Sequence, residues 1–207
     1  MAVRTLTPVL IALILAGCGG GADKVIAGGG RLASRTLTVY SLTRDPTGAS
    51  RDEVDGAKLA LAEAHGRVGR MTVNFAAFDL GRSSLSAATA TQRAIEDQQI
   101  IAAVVDATPV TVPLLNAAGI LQVAPGGDLA LATAPQATPS GHRTLAPLTG
   151  GSVPPGFAAR FRAAFGRTPT PQARTGYRAM RTILRAIARA GHGGNDRAQV
   201  IRAYLGG

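Results

Sequence analysis

Asp79 and Asp106 each follow directly on an apolar, strand-like run, the position from which an acid can hold a ligand or move a proton at the end of a sheet. The plainer role for an aspartate there is to accept backbone N–H bonds within the turn. The residues alone leave both readings open. Little else in the chain is equipped for catalysis. His65, His142 and His192 are isolated, with no H-x-x-x-H spacing and no carboxylate at ligand distance in sequence, so no metal is expected. No serine sits in G-x-S-x-G, and neither G-x-G-x-x-G nor the phosphate-loop pattern marks a strand–helix junction. The expectation is a protein that is not an enzyme and takes no cofactor.

Cys18 is the only cysteine in 207 residues, so it has no disulfide partner within the chain. It stands at the end of Leu15-Ala16-Gly17-Cys18, behind a basic residue, Arg4, and a short apolar core from Leu6 to Leu15. That order of features describes a bacterial lipoprotein signal over residues 1–17, with Cys18 as the lipidated residue. About 20 apolar residues are needed to span a bilayer, more than this segment supplies. Residues 18–34, with Gly-Gly-Gly at 19–21 and again at 28–30, read as a flexible tether to a cell-membrane anchor on the extracytoplasmic face.

The elements that must position Asp79 and Asp106 follow from periodicity. Arg35–Ser41 reads as the first strand, and Ser50 as the cap of a helix over Arg51–His65 whose apolar positions are Val54, Ala57, Leu61 and Ala64. Met71–Phe78 reads as the second strand, with Asp79 at its end, and Ser84–Gln98 as the second helix. Ile101–Val105 is a short continuous apolar run that suits a strand buried on both faces. Thr108 and Pro109 then open a helix as N-cap and first residue, Gly119 ends it, and Ile120–Val123 is the next strand. Leu129–Pro139 has no period and reads as a loop, with one short strand within Arg143–Leu148. Phe157, Phe161 and Phe165 form a four-residue stripe that reads as core. Pro171 opens a helix to Ala190, and Asn195 or Asp196 caps a last one through Tyr204.

Strand and helix alternate from residue 35 to 123, which argues an α/β fold with a parallel sheet and helices on both faces. The ligand loop of such a sheet lies beyond the carboxyl ends of the strands, here around Asp106, Ala107 and Thr108.

Charge is distributed unevenly. The net charge is +10, and residues 129–207 hold 11 arginines against the single acid Asp196. On the long helix Arg174, Arg178, Arg181, Arg185 and Arg189 share one side. Aromatic residues make up only 4% of the chain, too few for a base-stacking surface, so no nucleic acid partner is expected. The arginine face is either simply solvated or a contact for anionic head groups.

Three blocks carry a resemblance: DGAKLALAEAHGRVGRMTVNFAAFD within Val54–Asp79, TVPLLNAAGILQVAP, and FAARFRAAFGRTPTPQARTGYRAMRTILRAIARAG. Together with the lipidation signal they resemble the substrate-binding lipoproteins of branched-chain amino acid ABC importers, whose fold is the type I periplasmic binding protein. In that family two α/β lobes close on an amino acid or similar small ligand, and a permease reads the closed form. The resemblance implies that Leu37–Pro125 forms most of the first lobe and that Phe157–Gly191 corresponds to the helices after re-entry. Residues 126–155 would then be a loop replacing most of the second lobe. The chain would be a single Rossmann-like lobe over 35–191, with a C-terminal helix in 192–207. The family's site turn uses glycine and serine groups to hold the ligand carboxylate; here its place is taken by Asp106, Ala107 and Thr108. After the next strand come Gly126 and Gly127 instead of serine. These five residues are the ligand-binding candidates, with Thr108 the one surviving hydroxyl. Ligand binding is therefore expected to be reduced or lost. The alternative is a non-transporting lobe that meets the membrane through its basic helix.

Overall fold

A computed structural model describes residues 30–44, 48–126, 129–133, 137–139 and 141–206. The signal segment, Cys18, most of the tether and Gly127 lie outside the described residues.

The first strand, β1 (Thr36–Thr43), has its odd and even positions buried on opposite faces. Leu37 and Val39 join one core, whereas Tyr40 and Leu42 join the other. Helix α1 (Ala49–Glu63) follows, its N-cap being Gly48. Ser50 lies inside the helix, its hydroxyl donating to the Arg44 carbonyl at 2.5 Å, so it is not the expected cap. His65 and Gly66, both at positive φ, then turn the chain into a two-residue strand, β2 (Arg67–Val68), antiparallel to β3 (Met71–Asp79). Two residues show no periodicity, and β2 went unanticipated for that reason.

Helix α2 (Ser84–Glu96) starts at a reciprocal cap in which the Ser83 and Ser86 hydroxyls each accept from the other's backbone N–H. Strand β4 (Ile100–Val105) is buried along its whole length. Helix α3 (Thr111–Ala117) begins three residues after Thr108, because Pro109 and Val110 form a turn before regular helix geometry is reached. Strand β5 (Leu121–Ala124) pairs with β6 (Leu145–Pro147). Segment 126–155 is thus not all loop; it supplies an edge strand. Gln122 Nε2 donates to Asn116 Oδ1 at 2.8 Å and to Thr144 Oγ1 at 3.1 Å, which fixes the start of β6 against α3 and β5.

The sheet order is β2-β3-β1-β4-β5-β6, with every pair parallel except β2–β3. Setting β2 aside, the order in chain sequence is second, first, third, fourth, fifth. The direction of winding reverses between β1 and β4, so helices cover both faces. On one face α2 and α3 pack over Tyr40, Leu42, Ala103 and Val105. On the other face lie α1, α4 (Phe157–Phe165), α5 (Pro171–Ala190) and α6 (Arg197–Leu205). A register shift between Thr38 and Val39 puts Ile101 and Ala102 on the same side of β4; from Ala102 onward the alternation is regular.

Helix α5 meets α1 backbone to backbone. A Cβ added at Gly176 would come within 1.8 Å of the Glu53 carbonyl oxygen, and one at Gly56 within 1.9 Å of the Ala173 carbonyl oxygen. Only glycine permits this approach at either point. The α4–α5 turn is tied to the same helix by Arg167, which donates to Asp52 at 2.6 and 2.9 Å and to Asp55 at 2.6 Å. Phe157 and Phe161 are buried and stack in tilted contact, while Phe165 is partly buried beside them.

Candidate ligand site

The winding reverses between β1 and β4, and the crevice beyond the carboxyl ends of the strands at such a point is where doubly wound sheets bind ligands. Asp106 is the first residue past β4. Its N–H donates to the Leu42 carbonyl at 2.9 Å, and its Oδ2 accepts from the Arg44 N–H at 2.8 Å. The carboxylate stitches the loop after β1 to the end of β4. Asp79 acts similarly one strand over, its Oδ1 accepting from the Gly81 N–H at 2.7 Å within a turn that needs Gly81 at φ +63°.

Thr108 is 7% exposed, and its hydroxyl accepts from the Thr111 N–H at 3.0 Å and the Val110 N–H at 3.3 Å. Thr111 returns the contact by accepting from the Thr108 N–H at 3.0 Å. These bonds commit the hydroxyl to the backbone of the turn, but α3 starts at Thr111 with Val110 as its N-cap, so Thr108 is not the helix cap expected of it and Pro109 is not the first helical residue. Ala107 packs against the core under α2 and α3. Gly126 is exposed, with open space where a side chain would stand. Asp106, Ala107 and Thr108 therefore share one turn, and Gly126 follows β5, one strand over.

Two residues that the sequence reading passed over belong here. Glu53 lies in the first half of α1, four residues before Ala57, on the helix's apolar register. Its Oε1 is sealed from solvent and has no hydrogen-bond partner among the described residues. Burial, reinforced by the negative charge of Asp106, pushes its carboxyl up to about 7. Ser41 is 1% exposed and its Oγ is likewise sealed and unpartnered. Ser41 occupies the α1 side of β1, continuing Leu37 and Val39, and Val104 is its register partner. An acid at an apolar helix position and a hydroxyl at an apolar strand position were the available signals. The crevice thus offers two carboxylates, one protonated near neutrality, and a buried hydroxyl. The Asp106 carboxylate suits positive or N–H-bearing groups and opposes a carboxylate, while the Ser41 hydroxyl and, below about pH 7, the Glu53 carboxyl each carry an O–H donor.

The arginines of α5 are put to several uses. Arg178 donates to the Gly150 carbonyl at 2.7 and 3.2 Å, Arg189 to the Ala203 carbonyl at 3.3 Å, and Arg181 to the Tyr177 hydroxyl at 3.2 Å. Arg174 and Arg185 are exposed. Among the described residues no group of His, Cys, Asp and Glu is placed to hold a metal, and no helix is long and apolar enough to cross a membrane.

No family model and no curated protein matches this sequence. Solved structures do match. A leucine binding protein, LivK, from Thermotoga maritima superposes with a TM-score of 0.65 at 11% identity, over 81% of this chain and 87% of that one. A protein assigned to branched-chain amino acid ABC transport in Rhodospirillum rubrum gives a TM-score of 0.64 at 13% identity, covering 82% and 88%. An ABC transporter substrate-binding protein from Sphaerobacter thermophilus gives 0.62 at 11%, covering 82% and 85%. The chain shares its mostly parallel six-stranded α/β architecture, the type I periplasmic binding protein fold, with these proteins.

Proposed function

We propose that the chain is an extracytoplasmic solute-binding lipoprotein related to amino acid ABC importers, working as a single lobe with its capacity for carboxylate ligands reduced. Cys18 carries the lipid that holds it at the membrane, and an ABC permease is its transport partner. The likeness of fold to a leucine binding protein and to a substrate-binding protein of ABC transport supports the solute-binding part.

The observation that carries the reduced-binding part is the state of the Asp106–Thr108 turn. Its threonine hydroxyl accepts from the Thr111 N–H, and its aspartate accepts from Arg44 and keeps a negative charge at the turn. The hydroxyl is taken up by the turn, and the aspartate opposes a carboxylate. Ligands that present an ammonium group or N–H donors suit the site better. The alternative, a membrane-contact module built on the α5 arginines, is weakened because Arg178, Arg181 and Arg189 already hold partners within the chain.

A thermal-shift panel tests the reading, using branched-chain amino acids beside the corresponding amines that lack the carboxylate. The amines are expected to stabilise the protein at millimolar concentration and the amino acids to do so less. Stabilisation by leucine at micromolar concentration would overturn reduced carboxylate binding. A flat response to both classes at millimolar concentration would count against solute binding itself.

A further inference from the structure

The opposite end of the sheet carries a second recess. Beyond the amino ends of β1 and β3, a groove of about 580 Å³ is lined by Arg31, Arg35, Arg70 and His192, with Leu32 and Met71 among its apolar lining residues. No acid lines it. Arg31, Arg35, Arg70 and His192 are all exposed, and none of the ion pairs among the described residues involves them. Nearby acids are engaged elsewhere. Asp97 accepts from the Tyr40 hydroxyl and the Gln99 N–H, and Asp196 from the Gln199 N–H.

The groove is built on a fixed root. The Leu32 N–H donates to the Asn195 carbonyl at 2.7 Å, Asn195 Nδ2 returns to the Leu32 carbonyl at 2.8 Å, and Arg31 Nη2 donates to the His192 carbonyl at 2.9 Å. The Arg35 carbonyl accepts from the Thr72 N–H at 2.9 Å, which fixes Arg35 beside Arg70. Residues 31–35 are therefore pinned to the turn between α5 and α6 and to the start of β3.

We propose that this groove is a docking surface for the anionic lipid head groups of the membrane to which the chain is anchored. The proposal rests on the reading of Cys18 as the lipidated residue. Eleven residues, 19–29, separate that cysteine from the first described residue, a reach of about 40 Å when fully extended. The groove lies where the described chain enters the fold. Guanidinium groups suit lipid phosphates because their N–H donors match the phosphate oxygens in pairs. A membrane offers many phosphates at once, matching three arginines that come from separate points on the rim. Docking by this end leaves the crevice at Asp106 directed away from the bilayer, about 25 Å off along an eight-residue strand.

The test uses the full chain purified from membranes, with the mass of its Cys18 adduct read first. The protein is placed with vesicles of phosphatidylcholine, with or without phosphatidylglycerol, and followed by hydrogen exchange at low and at high salt. Backbone protection of residues 31–35 and 69–71 is expected to rise at least severalfold with phosphatidylglycerol at low salt, and to vanish at high salt. The double variant Arg35→Gln/Arg70→Gln should lose this protection while exchange in β1 and β4, the fold control, stays as in the parent. Equal protection on phosphatidylcholine alone overturns the proposal. So does protection surviving in the double variant, protection that appears at Arg174 and Arg185 instead, or the same protection from inorganic phosphate without vesicles. An unmodified Cys18 would refute the anchor reading alone, and adding the protein to the same vesicles would still decide the groove.

Discussion

The two ends of this sheet solve the problem of charge in opposite ways. At the carboxyl end the charged and polar groups turn inward on the chain. Asp106 accepts from Arg44, Asp79 from Gly81 and Thr108 from Thr111, and Glu53 is buried deeply enough, with Asp106 adding to the effect, to keep its proton up to about 7. At the amino end Arg35 and Arg70 stand exposed around a groove lined by no acid. Groups satisfied within the chain do the work of folding, and a ligand must displace them to use them. Groups left in solvent cost the fold little and remain available to a partner. The end at which doubly wound sheets bind ligands is thus the more self-contained one, and the opposite end is the more open.

The strongest way to break this contrast is to disturb what holds Glu53 in place. Gly176→Val would drive a side chain into the Glu53 carbonyl, already only 1.8 Å from where a Cβ would stand. Neither backbone can yield cheaply, so a loss of about 3 kcal/mol or more is expected, measured by urea unfolding. Gly126→Ala, at an exposed position with open space, should by comparison lie within about 0.5 kcal/mol of the parent.

The next effect is a dependence on pH. Folded Glu53 holds its proton up to about 7, whereas the unfolded chain releases it near 4.5, so between these values the unfolded state binds fewer protons. Stability from this group therefore falls as pH rises from about 4.5 to about 7 and stays low above. The full loss is on the order of 3 kcal/mol. Glu53→Gln should flatten that part of the curve of unfolding free energy against pH. An unchanged slope in the variant would show that the carboxyl is not the group responsible.

Much of this arrangement was legible in the residues. The continuous apolar run of β4 located that strand, since burial on two faces is a local signal, whereas the Thr-Pro pair placed the start of α3 too early, at a turn two residues ahead of Thr111. The span Pro171–Ala190 was likewise readable from its proline start and its apolar stripe. What was not legible depends on contacts distant in sequence. Ser50 looked like a cap because serine before an apolar period usually is one, yet its hydroxyl is drawn to Arg44 across the loop. Glu53 drew no reading from the sequence, since its burial and the close approach of α5 to its backbone at Gly176 are contacts distant in sequence. The five arginines of α5 looked like one face, but Arg178 and Arg189 reach carbonyls on other segments that spacing on a single helix cannot reveal. The basic groove gathers residues 31, 35, 70 and 192, a set that no local window contains.

A smaller change separates the two acids of the crevice. Asp106→Asn removes the second of the two causes that raise Glu53, leaving burial. It also weakens a charge-assisted bond to the Arg44 N–H, worth about 1 kcal/mol. The two effects oppose each other above pH 7. The expected outcome is a net change under about 1 kcal/mol, together with a shift of the Glu53 transition to lower pH, followed by melting across a pH series. If the transition does not move, Asp106 does not act on Glu53.

The smallest effect on stability is expected at the amino end, and its smallness is the point. Arg35→Gln and Arg70→Gln, singly or together, remove exposed guanidinium groups that take part in none of the ion pairs among the described residues. Unfolding free energy should change by no more than about 0.5 kcal/mol, because exposed charges without fixed partners add little to a fold. Removing like charges from one rim could even raise stability slightly at low salt, where repulsion is least screened. A loss of several kcal/mol would mean that these arginines brace the root of residues 31–35, and the contrast between an inward-turned and an open end would fail. A neutral result leaves the rim arginines without a structural duty, which is what the contrast between the two ends requires.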